Sequence, residues 1–123
     1  MEREIKFRGF NRKNGVWLYG FYLQNRGAHF VAPDEFADGK QWDDYEIDPE
    51  TRGEYSELKD AHGHEIFEGD VIECGPNRYV CEFTEGGFEF RDLSDDGLIL
   101  KAIVSRSHVI GNIHDNPELM KKE

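Results

Sequence analysis

Leu58-Lys59-Asp60-Ala61-His62-Gly63-His64-Glu65-Ile66-Phe67-Glu68-Gly69-Asp70-Val71-Ile72 reads as a strand, a tight turn, a short strand, a second turn and another strand. Asp60-Ala61-His62-Gly63 has the composition of a type I turn, with Asp at its first position and Gly at its fourth. Glu68-Gly69-Asp70 bends the chain again. Val71-Ile72-Glu73-Cys74 and Arg78-Tyr79-Val80-Cys81-Glu82-Phe83 then form a hairpin across Gly75-Pro76-Asn77. With Gly75 through Arg78 as the turn, Cys74 stands opposite Tyr79 and Cys81 opposite Ile72. After Glu85-Gly86-Gly87, Phe88-Glu89-Phe90-Arg91 alternates with the period of a half-buried strand. Leu98 through Val104 is a short apolar run that fits either a strand or a short helix. Val109-Ile110-Gly111-Asn112-Ile113 is a last strand, and Pro117 ends it. About five short strands joined by glycine turns predict an SH3-like small barrel over 53–116, with 117–123 as a charged tail of one frayed helical turn.

Outward from this stretch, the first 52 residues predict an antiparallel β-meander with an acidic loop. Ile5-Lys6-Phe7-Arg8 alternates apolar and basic residues. Asn11-Arg12-Lys13-Asn14-Gly15 is a turn. Val16-Trp17-Leu18-Tyr19-Gly20-Phe21-Tyr22-Leu23 is nearly continuous in apolar residues, as in a strand covered on both faces or by a partner. Asn25-Arg26-Gly27 turns the chain into Ala28-His29-Phe30-Val31, which ends at Pro33. Residues 34–52 are rich in Asp, a poor strand former. Tyr45-Glu46-Ile47 alternates within them, and Asp48-Pro49-Glu50-Thr51 has a cap and a first-position Pro for one helical turn.

The 123 residues carry a net charge of −11. Residues 34–70 hold 14 acidic and 3 basic residues, and the remainder holds 12 of each, so the whole excess lies in that segment. Such a segment repels phosphate, so nucleic acid is an unfavoured partner there; a solvated acidic surface is the plainer role. No stretch approaches a membrane span. Met1-Glu2-Arg3-Glu4 has no apolar run of the signal-peptide kind. The expectation is a cytoplasmic protein with no membrane partner. Cys74 and Cys81 are the only cysteines, expected as small buried apolar residues without a disulfide.

Three segments resemble the YopX family of phage and prophage proteins. The first is Arg3-Glu4-Ile5-Lys6-Phe7-Arg8-Gly9-Phe10, with Trp17-Leu18-Tyr19-Gly20 after it. The second runs from Pro49-Glu50-Thr51 through Leu58-Lys59-Asp60, Gly63 and Glu65-Ile66-Phe67-Glu68-Gly69-Asp70-Val71. The third is Val109-Ile110-Gly111-Asn112-Ile113 with Asn116-Pro117-Glu118-Leu119. They follow the family's order over nearly the whole chain. The pattern departs at Tyr55-Ser56-Glu57, where a Thr-Gly pair is more usual. The resemblance implies a β-rich protein of a phage or prophage, working in the bacterial cytoplasm. It supplies no catalytic residues.

The chemistry-bearing residues are few. His62 and His64, near Asp60 and Glu65, have the ligand type for a divalent metal, but His62 is placed in a turn and surface histidines are the plainer reading. His108 and His114, six apart, would share a strand face, and joining them to the first pair requires the fold to bring both ends together. Glu57-Leu58-Lys59 has the spacing of a metal-dependent nuclease core, with Asp48 and Asp70 as nominal partners. Asp95-Asp96-Gly97 lacks a calcium loop's alternating ligands, and Gly86-Gly87 precedes a strand rather than a phosphate-binding helix. No catalytic residue, metal or cofactor is therefore assigned.

The aromatic set Phe7, Phe10, Trp17, Tyr19, Phe21 and Tyr22 is heavy for its length. The expected function is a non-enzymatic binding module for a host or phage protein. Its candidate interaction surface is Trp17, Tyr19, Phe21, Asp43, Asp44 and Glu46. Self-association would cover apolar residues that so small a domain cannot bury. One alternative is an acidic nucleic-acid mimic that blocks a host protein. Another is stacking of single-stranded nucleic acid on the aromatic and basic N-terminal sheet.

Overall fold

A computed structural model describes residues 5–85, 87–94, 97 and 101–120. The described residues are mainly β, with short 3-10 turns between strands. The chain divides into two compact units, Met1–Tyr55 and Ser56–Glu123.

In the first unit, β1 (Phe7–Asn11), β2 (Val16–Asn25) and β3 (Ala28–Ala32) form the expected antiparallel meander. Asn11 organises the first turn, accepting from the Asn14 amide through its side chain at 2.7 Å and from the Gly15 amide through its carbonyl at 2.9 Å. One following segment then borders both outer edges of the meander. On β3, the Val31 amide donates to Tyr45 at 3.0 Å and the Ile47 amide to His29 at 2.9 Å. On β1, the Asp48 amide donates to the Phe10 carbonyl at 2.9 Å, and the Phe10 amide donates to Thr51 Oγ1 at 2.8 Å. Gly53 and Glu54 then pair with Arg8 and Phe7. Asp48 caps the 3-10 turn Pro49–Thr51, its side chain accepting from the Glu50 amide. Ile47 packs directly on Gly9, where an added Cβ would lie 2.5 Å from the Ile47 side chain.

β4 (Gly53–Lys59) begins in the first unit and ends in the second, where β5 (Glu65–Phe67) is its neighbour. β6 (Asp70–Cys74), β7 (Asn77–Thr84), β8 (Gly87–Asp92) and β9 (His108–Asn112) make an antiparallel sheet in the order β8-β7-β6-β9. Both faces of this sheet are covered. Ile72, Tyr79, Cys81, Phe88 and Phe90 pack with Ile66 and Val104, while Val71 and Val80 pack with Leu93, Ile110, Ile113, Leu119 and Met120. Neighbours in a strand point to opposite faces. A sheet buried on both sides therefore needs adjacent apolar pairs, and Val71-Ile72 and Val80-Cys81 are such pairs.

Three expectations are corrected. The SH3-like barrel is not closed among the described residues. β8 and β9 remain the two ends of an open sheet, and among the described residues between them is the 3-10 turn Lys101–Arg106, with Val104 in the core. The β6–β7 hairpin has a two-residue loop, so Cys74 faces Asn77 and Ile72 faces Tyr79, and Cys81 lies opposite Phe90 on β8. Gly75 at φ 62 starts that loop, the arrangement whose twist matches the flanking strands. Both cysteines are free thiols, Cys81 buried and Cys74 half-buried. His114 is not on the strand of His108: β9 ends at Asn112, and the His114 amide donates to Asn112 Oδ1 at 2.9 Å. In the tail, the 3-10 turn Pro117–Met120 packs its half-buried Leu119 and Met120 against the core. Leu98 through Leu100, part of the ambiguous run, and Asp95-Asp96 lie outside the described residues.

The departure at Tyr55-Ser56-Glu57 has a backbone signature. Glu57 adopts φ 69, a left-handed conformation that glycine takes without a steric penalty. Ser56 holds the kink, its hydroxyl donating to the Ile66 carbonyl at 2.7 Å and accepting from the Leu58 amide at 3.1 Å.

Candidate functional site: the outer face of the N-terminal sheet

The long apolar strand β2 is not covered on both faces. Pairing places Trp17 opposite Phe10, Tyr19 opposite Arg8, Phe21 opposite Ala32 and Leu23 opposite Phe30. Directly paired residues share a face, so these side chains form one row. Trp17 is half-buried, with the Phe10 ring edge-on at 5.6 Å and the Arg8 guanidinium over its ring at 4.9 Å. Beyond it, Tyr19 is 51% exposed, Phe21 53% and Leu23 39%. The row continues through Phe30, which meets the exposed Trp42 edge-on at 5.4 Å. Trp42 in turn contacts Phe36 at 4.7 Å, and Phe36 contacts Tyr45. On the opposite face the half-buried Tyr22 lies against Phe7 and His29 and under the Arg52 guanidinium.

The six expected surface residues therefore divide. Tyr19 and Phe21 are the exposed centre of the row, and Trp17 is its half-buried end. Glu46 bridges Phe30 across the ladder and stands at the edge of the same face. Asp43 and Asp44 are drawn away to the β1–β2 turn, where Lys13 Nζ lies 3.1 Å from one carboxylate and 3.0 Å from the other. The Gln41 amide, the Asn14 side chain and Lys13 together hold the Asp44 carboxyl far below its ordinary range, and the same pair of aspartates raises the pKa of Lys13. Arg12 pairs with Asp48. A crevice lined by Asn11, Arg12, Lys13, Asp43, Glu46 and Asp48 lies here; its two cations are engaged by Asp43, Asp44 and Asp48. Sequence reading missed Leu23, Phe30 and Trp42. Leu23 continues the period-2 series Trp17, Tyr19, Phe21, so that signal was available. Trp42 sits in an irregular acidic stretch without period, so none was.

The two nominal acidic partners of the nuclease-like spacing have structural roles of their own. Asp70 is buried, its carboxylate accepting the Phe67 amide at 2.8 Å within the turn before β6, while Asp48 is a helical cap. Among the described residues no three His, Cys, Asp or Glu side chains stand together as a ready metal-ligand set.

Fold and face together define an all-β chain of two small antiparallel units. The chain belongs to the YopX family: the family model described as YopX protein matches residues 6–121. No curated protein matches it. Among solved structures, protein EF1440 from Enterococcus faecalis is similar with a TM-score of 0.62 at 23% identity, covering 98% of this chain and 100% of that one. At that identity the likeness speaks for the fold. No helix among the described residues is long and apolar enough to cross a membrane.

Proposed function

We propose that the protein is a non-enzymatic binding module that engages a protein partner through the outer face of its N-terminal sheet. In the setting that the family resemblance implies, a phage or prophage product in the bacterial cytoplasm, the partner is a host or phage protein. The observation that carries this reading is the row Tyr19, Phe21, Leu23, exposed on β2. Rigid aromatic side chains on a flat face supply large contact area at small entropic cost. Both edges of the meander are hydrogen-bonded to the chain's own 45–55 segment, so strand addition at those edges is a weaker mode than face packing.

The acidic-mimic reading has less support. Asp43, Asp44 and Asp48 are paired with Lys13 and Arg12, and Asp60 and Asp70 are buried in turns, which leaves fewer carboxylates to imitate a phosphate array. The stacking reading rests on Arg8 over Trp17. A tagged pull-down from host and infected-cell lysates, with and without nuclease, separates the readings. A partner protein captured in both conditions by the native chain and lost with Tyr19→Ser/Phe21→Ser is the expected result. Capture that needs intact nucleic acid would favour stacking. Capture insensitive to the double change but lost on reversing Asp43 and Glu46 would favour mimicry. Self-association abolished by the double change would make the partner a second copy.

A further inference from the structure

The second unit brings together three histidines that the sequence spreads over 47 positions, from His62 to His108. The agent is Asp60. Its side chain is fully inaccessible to solvent. Its Oδ1 accepts the His62 and His64 amides, each at 2.9 Å, and its Oδ2 accepts the Val109 amide at 2.9 Å. The Ala61 amide adds a bond to the Ser107 carbonyl at 2.8 Å. The turn before β5 is thus fastened to the start of β9. The His62 and His108 ring centres come within 4.7 Å, and the His62 and His64 ring centres within 6.0 Å. All three rings are exposed.

We propose that His62, His64 and His108 form a surface site for one divalent transition-metal ion of the zinc, cobalt or nickel type. Imidazole nitrogen is the donor these borderline cations prefer. Two imidazoles on one tetrahedral ion, with metal–nitrogen bonds of about 2 Å, place their ring centres roughly 5 Å apart. The two observed separations bracket that value. His64 carries a second mark of a ligand: its Nδ1 lies 3.2 Å from Asp60 Oδ2. A neutral imidazole donating through Nδ1 presents Nε2 as a lone pair, and a carboxylate behind the ring is the usual outer partner of a metal-bound histidine. The three rings do not yet stand at ligand geometry. The set is open, and exposed side chains close it by rotation about χ1 and χ2 while the Asp60 frame stays fixed. A fourth position is left for water or a partner's ligand.

The test is calorimetric titration of Zn²⁺ into the full chain, with the visible spectrum of a Co²⁺ titration as an independent readout. One saturable equivalent is expected, with a Co²⁺ spectrum of nitrogen and oxygen coordination and a rise in melting temperature on metal addition. His62→Gln and His108→Gln are each expected to weaken binding by about tenfold or more, with melting temperatures in the absence of metal unchanged, since both rings are exposed. His114→Gln and Cys74→Ser are expected to leave binding intact. No saturable binding at millimolar Zn²⁺ would overturn the proposal. So would binding that survives the His62→Gln/His108→Gln pair, or binding lost with Cys74→Ser.

Discussion

The two units use apolar residues in opposite ways. In Ser56–Glu123 the sheet β8-β7-β6-β9 is a middle layer, and its apolar side chains are consumed on both faces. In Met1–Tyr55 one face of the meander shows the contiguous row Tyr19, Phe21 and Leu23 to solvent. Among its described residues the second unit also exposes one large ring, Phe83, which rests on Phe88. A lone exposed ring is ordinary, whereas a contiguous exposed row is not. Hydrophobic content by itself therefore does not tell a core face from an exposed one; what tells them apart is whether a second layer is within reach.

The sharpest way to break this contrast is to truncate one ring in each unit. Phe90→Ala removes a fully buried ring from the second core and is expected to cost about 3–5 kcal/mol in chemical denaturation. A cost below that of an exposed residue would mean that the second core is not packed as described. Next in size is Gly111→Ala, because an added Cβ would meet Asn116 Oδ1 at 2.5 Å and Leu119 at 2.8 Å. Its expected cost is about 1–3 kcal/mol, read as a lowered denaturation midpoint. A neutral result would show that the turn after β9 is not seated on that glycine.

The Asp60 frame makes a prediction in pH. Burial alone would push its carboxyl up, but amide bonds from Val109, His64 and His62, then the His64 ring, outweigh burial and bring the pKa down from 3.8 to about 2. A carboxyl whose pKa is lower folded than unfolded adds stability above the unfolded value and loses it as pH falls through the folded one. About 2 kcal/mol should thus disappear between roughly pH 4 and pH 2. Asp60→Asn should lower stability at neutral pH and flatten that acid limb; an unchanged limb would remove Asp60 as its cause.

Smaller still, Glu57→Gly relieves a left-handed non-glycine residue and is expected to stabilise by about 1 kcal/mol. A destabilised variant would show that the Glu57 side chain contributes more than its backbone costs. Smallest is the pair that defines the first unit: Tyr19→Ser and Phe21→Ser should each cost about 1 kcal/mol or less, since both rings are already exposed. If either cost as much as Phe90→Ala, the outer face would be core and the contrast between the units would fail.

The residues alone determined the local elements. Period-2 alternation marked β8, turn residues marked the breaks at 11–15, 25–27 and 60–63, and Asp48-Pro49 marked a capped turn, because these depend on neighbours in the chain; the alternation at Ile5-Lys6-Phe7-Arg8 misled, since Ile5 is exposed ahead of β1 and Arg8 is buried. The resemblance marked the family, since the matched segments span nearly the whole length. Closure of the second sheet, the hairpin register and the strand of His114 were read wrongly. Each turns on one residue of loop length or on a long-range pairing that local pattern does not encode. The same limit applies to function-bearing geometry. The sequence could flag Trp17, Tyr19 and Phe21 as too many aromatics, but only the tertiary structure decided which of them face water. Only it sent Asp43 and Asp44 to Lys13, and only it carried His108 to His62, because the buried Asp60 carboxylate binds the Val109 amide 49 positions along the chain.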